Sequence, residues 1–164
     1  MNARKALSDQ KRVEVRIEHR RAIKILMRHW FDVIRSALIG MFTGTRPGAG
    51  GSIANILSYE QAKKAAKDDS QFGKGDPRGI IAPEASNNAV EGGALTPLMA
   101  LGIPGDITAA IMLGALLMHD IVPGPTFISD EPVLAYSIYI AFFLASFIML
   151  GMQSIVLRVF VLVT

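Results

Sequence analysis

The stretches Gly44-Thr45-Arg46-Pro47-Gly48-Ala49-Gly50-Gly51 and Leu101-Gly102-Ile103-Pro104-Gly105-Asp106 each place a Pro-Gly break inside a hydrophobic region. A new helical pattern begins directly after each break. Broken backbone is costly in a bilayer because its polar groups have no water to bond, so such breaks persist where they line a cavity. Secondary transporters build substrate and ion sites from broken helices of this kind. The two breaks therefore favour a transporter core over a soluble enzyme.

Charge is distributed unevenly along the 164 residues, of which 51% are hydrophobic. Residues 1–30 carry nine Lys/Arg and three acids, residues 60–78 carry five and four, and Arg158 is the only basic residue after position 78. Basic flanks of membrane segments usually face the cytoplasm, so both basic regions are expected there. Anionic lipids are the expected partner of these charges, and nucleic acid is not.

The segment between the two basic regions is too short for two membrane spans. Its ~28 residues make about 42 Å of helix, whereas two spans need roughly 40 residues. A re-entrant helical hairpin over residues 32–68, with its tip at 46–51, fits both the length and the sidedness. Residues 1–31 have the spacing of a basic amphipathic segment that lies in the cytoplasmic interface, with Trp30 at headgroup level. A helix packed on protein remains the alternative for that segment.

The remaining sequence predicts four further parts. They are a cytoplasmic loop at 69–83, a broken-helix element at 84–120 with its tip at 102–105 and a helix start near Pro83, an outward loop at 121–132, and a transmembrane helix at 133–164 that is truncated at its end. The pattern leaves open whether 84–118 is a second hairpin or a broken span. The predicted fold is all-α, a polytopic integral membrane protein with re-entrant or broken helices at the Pro-Gly tips, and part of a longer permease.

Residues next to the breaks are the candidate binding residues. A helix N-terminus offers free amides and a positive dipole end to an anion, and the carbonyls on the other side of a break suit a small cation. The candidates for substrate binding are Arg46, Gly48, Gly50, Ser52, Asn55, Asn87, Asn88, Thr96, Gly105, Asp106 and Thr108. The candidates for binding a coupling cation are Pro47, Gly48, Asn88, Gly102, Ile103 and Pro104, with Na⁺ or H⁺ as the coupling ion and no other cofactor.

Structural roles compete with these functional ones. Asp106 is equally suited to be an N-cap, the two asparagines to cap or join helices, and the glycines to allow tight helix packing. Catalysis is not expected, because His119 and Asp120 have no nucleophile at useful spacing. There are no cysteines and the three histidines form no metal pattern, so no metal site is expected.

Several blocks of the sequence together resemble the large membrane subunit of tripartite tricarboxylate transporters. The blocks are Gly75–Ala89, Gly92–Pro97, Leu101–Gly105, Leu113–Leu116 and Pro123–Pro125, with Pro47–Gly51 and Leu57–Glu60 upstream. The resemblance covers roughly residues 30–130 and matches the core of the second of two related halves.

The resemblance implies a multi-pass permease of the bacterial inner membrane that imports carboxylates, coupled to an ion gradient. Such a permease works with a small membrane subunit and a periplasmic solute-binding protein. The family motifs map onto Pro47, Gly48 and Gly50, onto Asn87 and Asn88, and onto Gly102–Gly105. Arg46 departs from the apolar position of the family pattern, and could either attract a carboxylate or mark a divergent copy. A truncated membrane remnant or adaptor that does not transport is the alternative function.

Overall fold

The computed structural model describes residues 18–48 and 50–163. Within these ranges the chain is entirely helical, with seven helices and no strands, which confirms the all-α part of the predicted fold. The helices are α1 (His19–Arg28), α2 (Trp30–Gly44), α3 (Gly50–Ala65), α4 (Arg78–Leu101), α5 (Ile107–Met118), α6 (Phe127–Asp130) and α7 (Pro132–Val163).

Helices α2, α3 and α4 pack together as a three-helix unit through small residues at every fourth position. The buried residues with this spacing are Ser36, Gly40 and Gly44 in α2, Ala54, Ser58 and Ala62 in α3, and Ala82, Ser86, Val90 and Ala94 in α4. A Cβ on Gly40 would overlap the backbone of Ser86, and one on Gly93 would overlap the backbone of Met41. The α2 and α4 backbones are therefore in direct contact, as in membrane helix pairs with small interface residues.

Many large apolar side chains of α2 and α3 point outward. In α2, Leu38 and Phe42 are exposed, Phe42 to 70%, and in α3 Ile56 is exposed to 66%. A helix of a water-soluble bundle buries its large apolar residues and exposes its polar ones. The reversed arrangement is the one expected of helices that are surrounded by lipid or by other apolar helices.

Helices α2 and α3 follow one another along the chain and pack against each other and against α4. The two helices have 15 and 16 residues, or about 22 to 24 Å each at 1.5 Å per residue. Both are shorter than the roughly 20 residues that a span requires. The placement of residues 32–68 as a re-entrant element remains a prediction.

The helix predicted to start near Pro83 begins earlier, at Arg78, and contains both Pro83 and Pro97. The start is set by Asp76, whose Oδ1 accepts the backbone N–H of Arg78 at 2.9 Å. The Asn55 amide, with its nitrogen facing two carbonyls, donates to Pro83 O and Gly51 O at 3.1 Å. This contact holds α3 against α4 beside Pro83.

Charge and aromatic contacts hold the link between α3 and α4, residues 66–77. The Arg78 guanidinium donates to Asp76 Oδ2 at 2.6 Å and lies 5.2 Å from the centre of the Phe72 ring. The hydrogen bonds from Arg78 lower the pKa of the Asp76 carboxyl below its usual range. Tyr59 packs edge-on against Phe72 with ring centres 5.6 Å apart, so the link closes the charged end of the three-helix unit.

The first helix departs from the predicted amphipathic segment at its C-terminal end. Residues 1–17 lie outside the described residues. The helix ends at Arg28, and a turn at His29 separates it from α2, which begins at Trp30 instead of continuing one helix through Phe31. His29 Nδ1 lies 3.5 Å from Asp32 Oδ2, so the turn residue is held by the first turn of the next helix.

Among the described residues, α7 is the one helix long and apolar enough to cross a membrane, over Pro132–Phe160. Its first turn packs with the C-terminal half of α4 and with α6, in a cluster that buries Leu98, Met99, Phe127 and Ala135. Most of its remaining length is exposed. One such helix does not establish how often the chain crosses the membrane, so the polytopic arrangement remains a proposal.

Candidate binding site

The two Pro-Gly breaks, which are 57 residues apart, meet in the folded chain. The backbone N–H of Gly48 in the first break donates to the carbonyl of Gly105 in the second at 3.2 Å. Sequence spacing alone did not predict this contact. The contact brings the beginnings of the two helices that follow the breaks, α3 and α5, to opposite sides of one site.

Both breaks contain glycine in a backbone conformation that other residues rarely adopt. Gly48 has φ +79° and Gly50 has φ +56° in the first break, and Gly102 has φ +69° in the second. Gly102 ends α4, its N–H donating to Leu98 O at 2.9 Å, and the next N–H, from Ile103, reaches Pro97 O at 3.3 Å. This is a glycine helix cap that turns the chain sharply out of the helix.

An open cavity of about 660 Å³ lies between the start of α3, the middle of α4 and the start of α5. Both helix N-termini line it, so free backbone amides and two positive dipole ends are available at its wall. The lining residues are Gly48, Gly50, Gly51, Ser52, Ile53, Asn87, Val90, Glu91, Pro104, Gly105, Asp106, Ile107, Thr108 and Ala110.

Most of the sequence candidates that lie at or just after the breaks line this cavity. From the substrate set these are Gly48, Gly50, Ser52, Asn87, Gly105, Asp106 and Thr108, and from the cation set Gly48 and Pro104. Their common lining places polar groups from three helices at one site. Whether they bind a ligand remains a prediction.

Asp106 has the structural role that the sequence left open. It is the N-cap of α5, and its Oδ1 accepts the backbone N–H of Ala109 at 2.7 Å. The N-cap interpretation is confirmed. The same carboxylate also lines the cavity, so it contributes negative charge there.

The two asparagines of α4 lie in different environments. Asn87 lines the cavity opposite Gly51, where a Cβ would clash with the Asn87 amide oxygen. Asn88 is exposed outside the cavity lining, and its Nδ2 donates to Glu84 O of its own helix at 2.8 Å. Neighbouring residues on a helix point about 100° apart, so one member of the pair faces the cavity and the other does not.

The remaining candidates are not brought to the cavity. Asn55 is occupied by the carbonyls of Pro83 and Gly51, and Thr96 Oγ1 lies 3.5 Å from Gly92 O of its own helix. The full set outside the lining is Arg46, Pro47, Asn55, Asn88, Thr96, Gly102 and Ile103.

Glu91, an acid next to apolar sequence that belongs to neither the substrate set nor the cation set, also lines the cavity. It is half-buried in α4 and faces the cavity one turn after Asn87. The spacing of four residues could have identified it, since positions i and i+4 share a helix face. With Asp106 it gives the cavity two carboxylates, and no Lys or Arg is among the lining residues.

The part of the chain that the structure describes contains no group of three or more His, Asp or Glu side chains arranged to hold a metal ion. The polar groups at the cavity are instead amides, hydroxyls, backbone N–H groups and two carboxylates. This set can bind an anion through the donors and a cation through the carboxylates.

Comparisons with known proteins give the same family as the sequence motifs. The chain is 37% identical over 106 residues to an uncharacterized 52.8 kDa protein in the TAR-I ttuC' 3' region of Agrobacterium vitis, covering 65% of this chain and 21% of the relative. It is 36% identical over 99 residues to an uncharacterized protein in the TAR-II ttuC' 3' region of the same organism, covering 60% of this chain and 41% of the relative.

The chain thus spans less than half the length of these two relatives. No solved structure matches it significantly. The sequence model of the tripartite tricarboxylate transporter TctA family matches residues 1–164, which is the whole chain. The family is a transporter family and not a family of enzymes. The chain therefore belongs to the tripartite tricarboxylate transporter TctA family.

Proposed function

We propose that this chain forms the substrate cavity of a membrane permease subunit that takes up tricarboxylates or related carboxylates. The observation that carries the proposal is the meeting of the two Pro-Gly breaks, through Gly48 and Gly105, around one open cavity. Broken helices around a cavity are how secondary transporters satisfy exposed backbone inside a bilayer. Membership of a tricarboxylate transporter family supplies the substrate class.

The cavity has hydrogen-bond donors suited to a carboxylate. The first turns of α3 and α5 provide unpaired backbone amides, the Asn87 amide faces the cavity from α4, and the hydroxyls of Ser52 and Thr108 lie at its edge. An anion at a helix N-terminus is favoured by both the amides and the dipole. A substrate with two or three carboxylates could contact both helix ends at once.

The two carboxylates of the cavity explain why transport would need a coupling ion. Glu91 and Asp106 would repel an anionic substrate, and no basic side chain lines the cavity to offset them. A bound Na⁺, or a proton on Glu91, would remove that repulsion and make carboxylate binding depend on the ion. Coupled binding of one anion and one cation is the chemistry that ion-driven uptake requires.

The membrane location and the partner subunits are proposed from the family. We infer a multi-pass subunit in the bacterial inner membrane, which works with a small membrane subunit and a periplasmic solute-binding protein. The outward-facing large residues of α2 and α3 support an apolar environment around the three-helix unit. Binding and movement of the site are the whole function, with no bond made or broken.

The test is ligand-dependent thermal stabilisation of the purified, folded protein, screening di- and tricarboxylates with and without Na⁺ and at several pH values. We expect a carboxylate to raise the melting temperature, and the shift to depend on Na⁺ or on acidic pH. Absence of a shift with every carboxylate would contradict the proposal.

Two substitutions sharpen this test because they change the same side chain at neighbouring positions. Asn87→Ala removes the amide that faces the cavity, and loss of a hydrogen bond to a charged ligand should weaken carboxylate binding by roughly tenfold. Asn88→Ala removes an amide that binds its own helix, and should change affinity much less. Equal losses in both variants would contradict the placement of the site in this cavity.

A further inference from the structure

Beyond carboxylate transport, we propose that helix α1 and the adjoining Trp30 form a docking surface for anionic phospholipid headgroups. The residues concerned lie at the end of the three-helix unit opposite the Pro-Gly breaks, and take no part in the cavity. The partner is a lipid surface, and its required property is negative charge.

The side chains of α1 divide into two faces. Arg20, Arg21, Lys24 and Arg28 fall within about 100° of one another around the axis at 100° per residue. This set is called the basic face below. The opposite side has Ala22, Ile23, Leu26 and Met27, called the apolar face. Such a division is typical of helices that lie in a membrane interface.

Most side chains of both faces are exposed. The helix has no buried residue, Ile23 and Met27 of the apolar face are exposed to 60% and 69%, and His19, at the start of that side, is half-buried. A surface of this kind in water would be unfavourable, since each exposed apolar side chain retains its hydration cost. An apolar layer beneath the helix removes that cost.

The charges at this end favour an anionic layer. Nearby acids are already paired, because Asp32 binds Arg35 at 2.6 Å and the exposed Glu18 lies 3.8 Å from Arg21. Among the described residues, the basic face therefore has one ion pair, the weak one between Arg21 and Glu18. Charge complementarity selects anionic headgroups over zwitterionic ones.

The turn at His29 places Trp30 and Phe31 where such a surface would need them. Their rings pack edge-on with centres 5.9 Å apart, and Trp30 is 57% exposed. Tryptophan is enriched at headgroup level because its ring is apolar and its N–H is polar. The chain would thus pass from the surface helix α1 into α2 at a lipid-anchored turn.

Trp30 also makes the proposal directly measurable, because it is the only tryptophan of the chain. The 164-residue chain is reconstituted in phosphatidylcholine vesicles that contain phosphatidylglycerol. A fixed fraction of either lipid is replaced by its brominated form, which quenches tryptophan on contact. The ratio of quenching by brominated phosphatidylglycerol to quenching by brominated phosphatidylcholine reports whether anionic lipid is enriched around Trp30.

We expect a ratio of about two or more at low salt, and a fall toward one at high salt, because surface charge attracts anionic lipid and salt screens it. Replacing the basic face by glutamine (R20Q/R21Q/K24Q/R28Q) should bring the ratio close to one. Quenching by brominated phosphatidylcholine should persist in that variant, because the apolar contact of Trp30 remains.

The matched control is K63Q/K64Q/K67Q, which removes positive charge from the end of α3 and should leave most of the enrichment. A wild-type ratio near one would overturn the proposal. So would an unchanged ratio in the basic-face variant, or an absence of quenching by both lipids, which would place Trp30 against protein or water. Carboxylate stabilisation should survive in the basic-face variant, so this proposal and the proposed function fail separately.

Discussion

The two Pro-Gly breaks look alike as sequence but differ in their surroundings. Gly48 of the first break is exposed, and a Cβ there would meet no atom within 4 Å. Gly105 of the second is buried, and a Cβ there would overlap the carbonyl of Gly44 and lie 2.9 Å from Ala94. The second break is packed into the three-helix unit and the first forms an open edge of the cavity. The two glycines that meet, Gly48 and Gly105, therefore carry different constraints, conformational at Gly48 and steric at Gly105.

The largest loss of stability is expected for Gly105→Ala. The added methyl would collide with backbone that cannot move away easily, so we expect about 3 kcal/mol of destabilisation, at the upper end for overpacking. Thermal unfolding of the purified protein in detergent measures it. Gly124→Ala is the matched control, since a Cβ there meets nothing within 4 Å. A small loss for Gly105→Ala would show that the second break is not tightly packed.

A smaller effect is expected for Gly48→Ala. There is space for the methyl, but φ +79° is strained for alanine, at about 1–2 kcal/mol. Gly48→Asn should lose less than alanine, because asparagine tolerates the left-handed region better. The same unfolding measurement distinguishes the two breaks. If alanine and asparagine behave alike at position 48, the loss does not come from backbone conformation.

The stability of the fold should also depend on the N-cap of α5, Asp106, which follows directly after the second break. Asp106→Ala removes the acceptor for the Ala109 N–H and should cost about 1 kcal/mol. Asp106→Asn keeps a good N-cap and should retain most of the stability, while it removes one negative charge from the cavity. Unfolding measurements should therefore separate these variants. Equal destabilisation by both would mean that the charge of Asp106, and not its capping bond, is what stabilises α5.

The smallest change in stability is expected for Asp76→Asn, in the link at residues 66–77. This link is held by an ion pair and not by backbone packing. Because Arg78 lowers the folded-state pKa of Asp76, the pair stabilises the fold above the unfolded value of 3.8, and this contribution is lost as pH falls through the lower folded value. After solvent screening we expect ~1 kcal/mol or less. The difference in melting temperature between wild type and Asp76→Asn should shrink below about pH 4. A difference independent of pH would contradict this role.

Local patterns predicted a good part of the fold. The helical class, the two breaks in helices and the long apolar helix near the end all follow from proline, glycine and hydropathy. The start of α4 did not, since the pattern predicts a helix start near Pro83 and the helix begins at Arg78. The bond from the Arg78 N–H to Asp76 Oδ1 sets that start, and Pro83 then costs one helical hydrogen bond inside the helix. The sequence pattern also does not show that Asn55 packs α3 against α4 beside Pro83, because that contact is tertiary.

The sequence predicted which residues beside the breaks belong to the candidate site, but not which side chains of α4 face it. Residues directly beside the breaks line the cavity, because helix ends that meet bring their first turns together. The choice between Asn87 and Asn88, and the presence of Glu91, depend on how α4 is rotated about its axis. That rotation is set by Gly40 and Gly93, which allow α2 and α4 to touch through their backbones. Hydropathy does not reveal it, because the large apolar residues face outward.

The contact between the α2 and α4 backbones also limits how these two helices can move relative to each other. The Ser86 backbone lies against Gly40, and the Met41 backbone lies against Gly93, so neither glycine has room for a Cβ. Sliding by a turn would force side chains into spaces that hold only a hydrogen atom. Any change in the shape of the cavity that keeps this contact must therefore move α2 and α4 together. Among the described residues, the first break is tied to the second by the backbone hydrogen bond from Gly48 to Gly105, which is a far weaker constraint than the packing of the two helices.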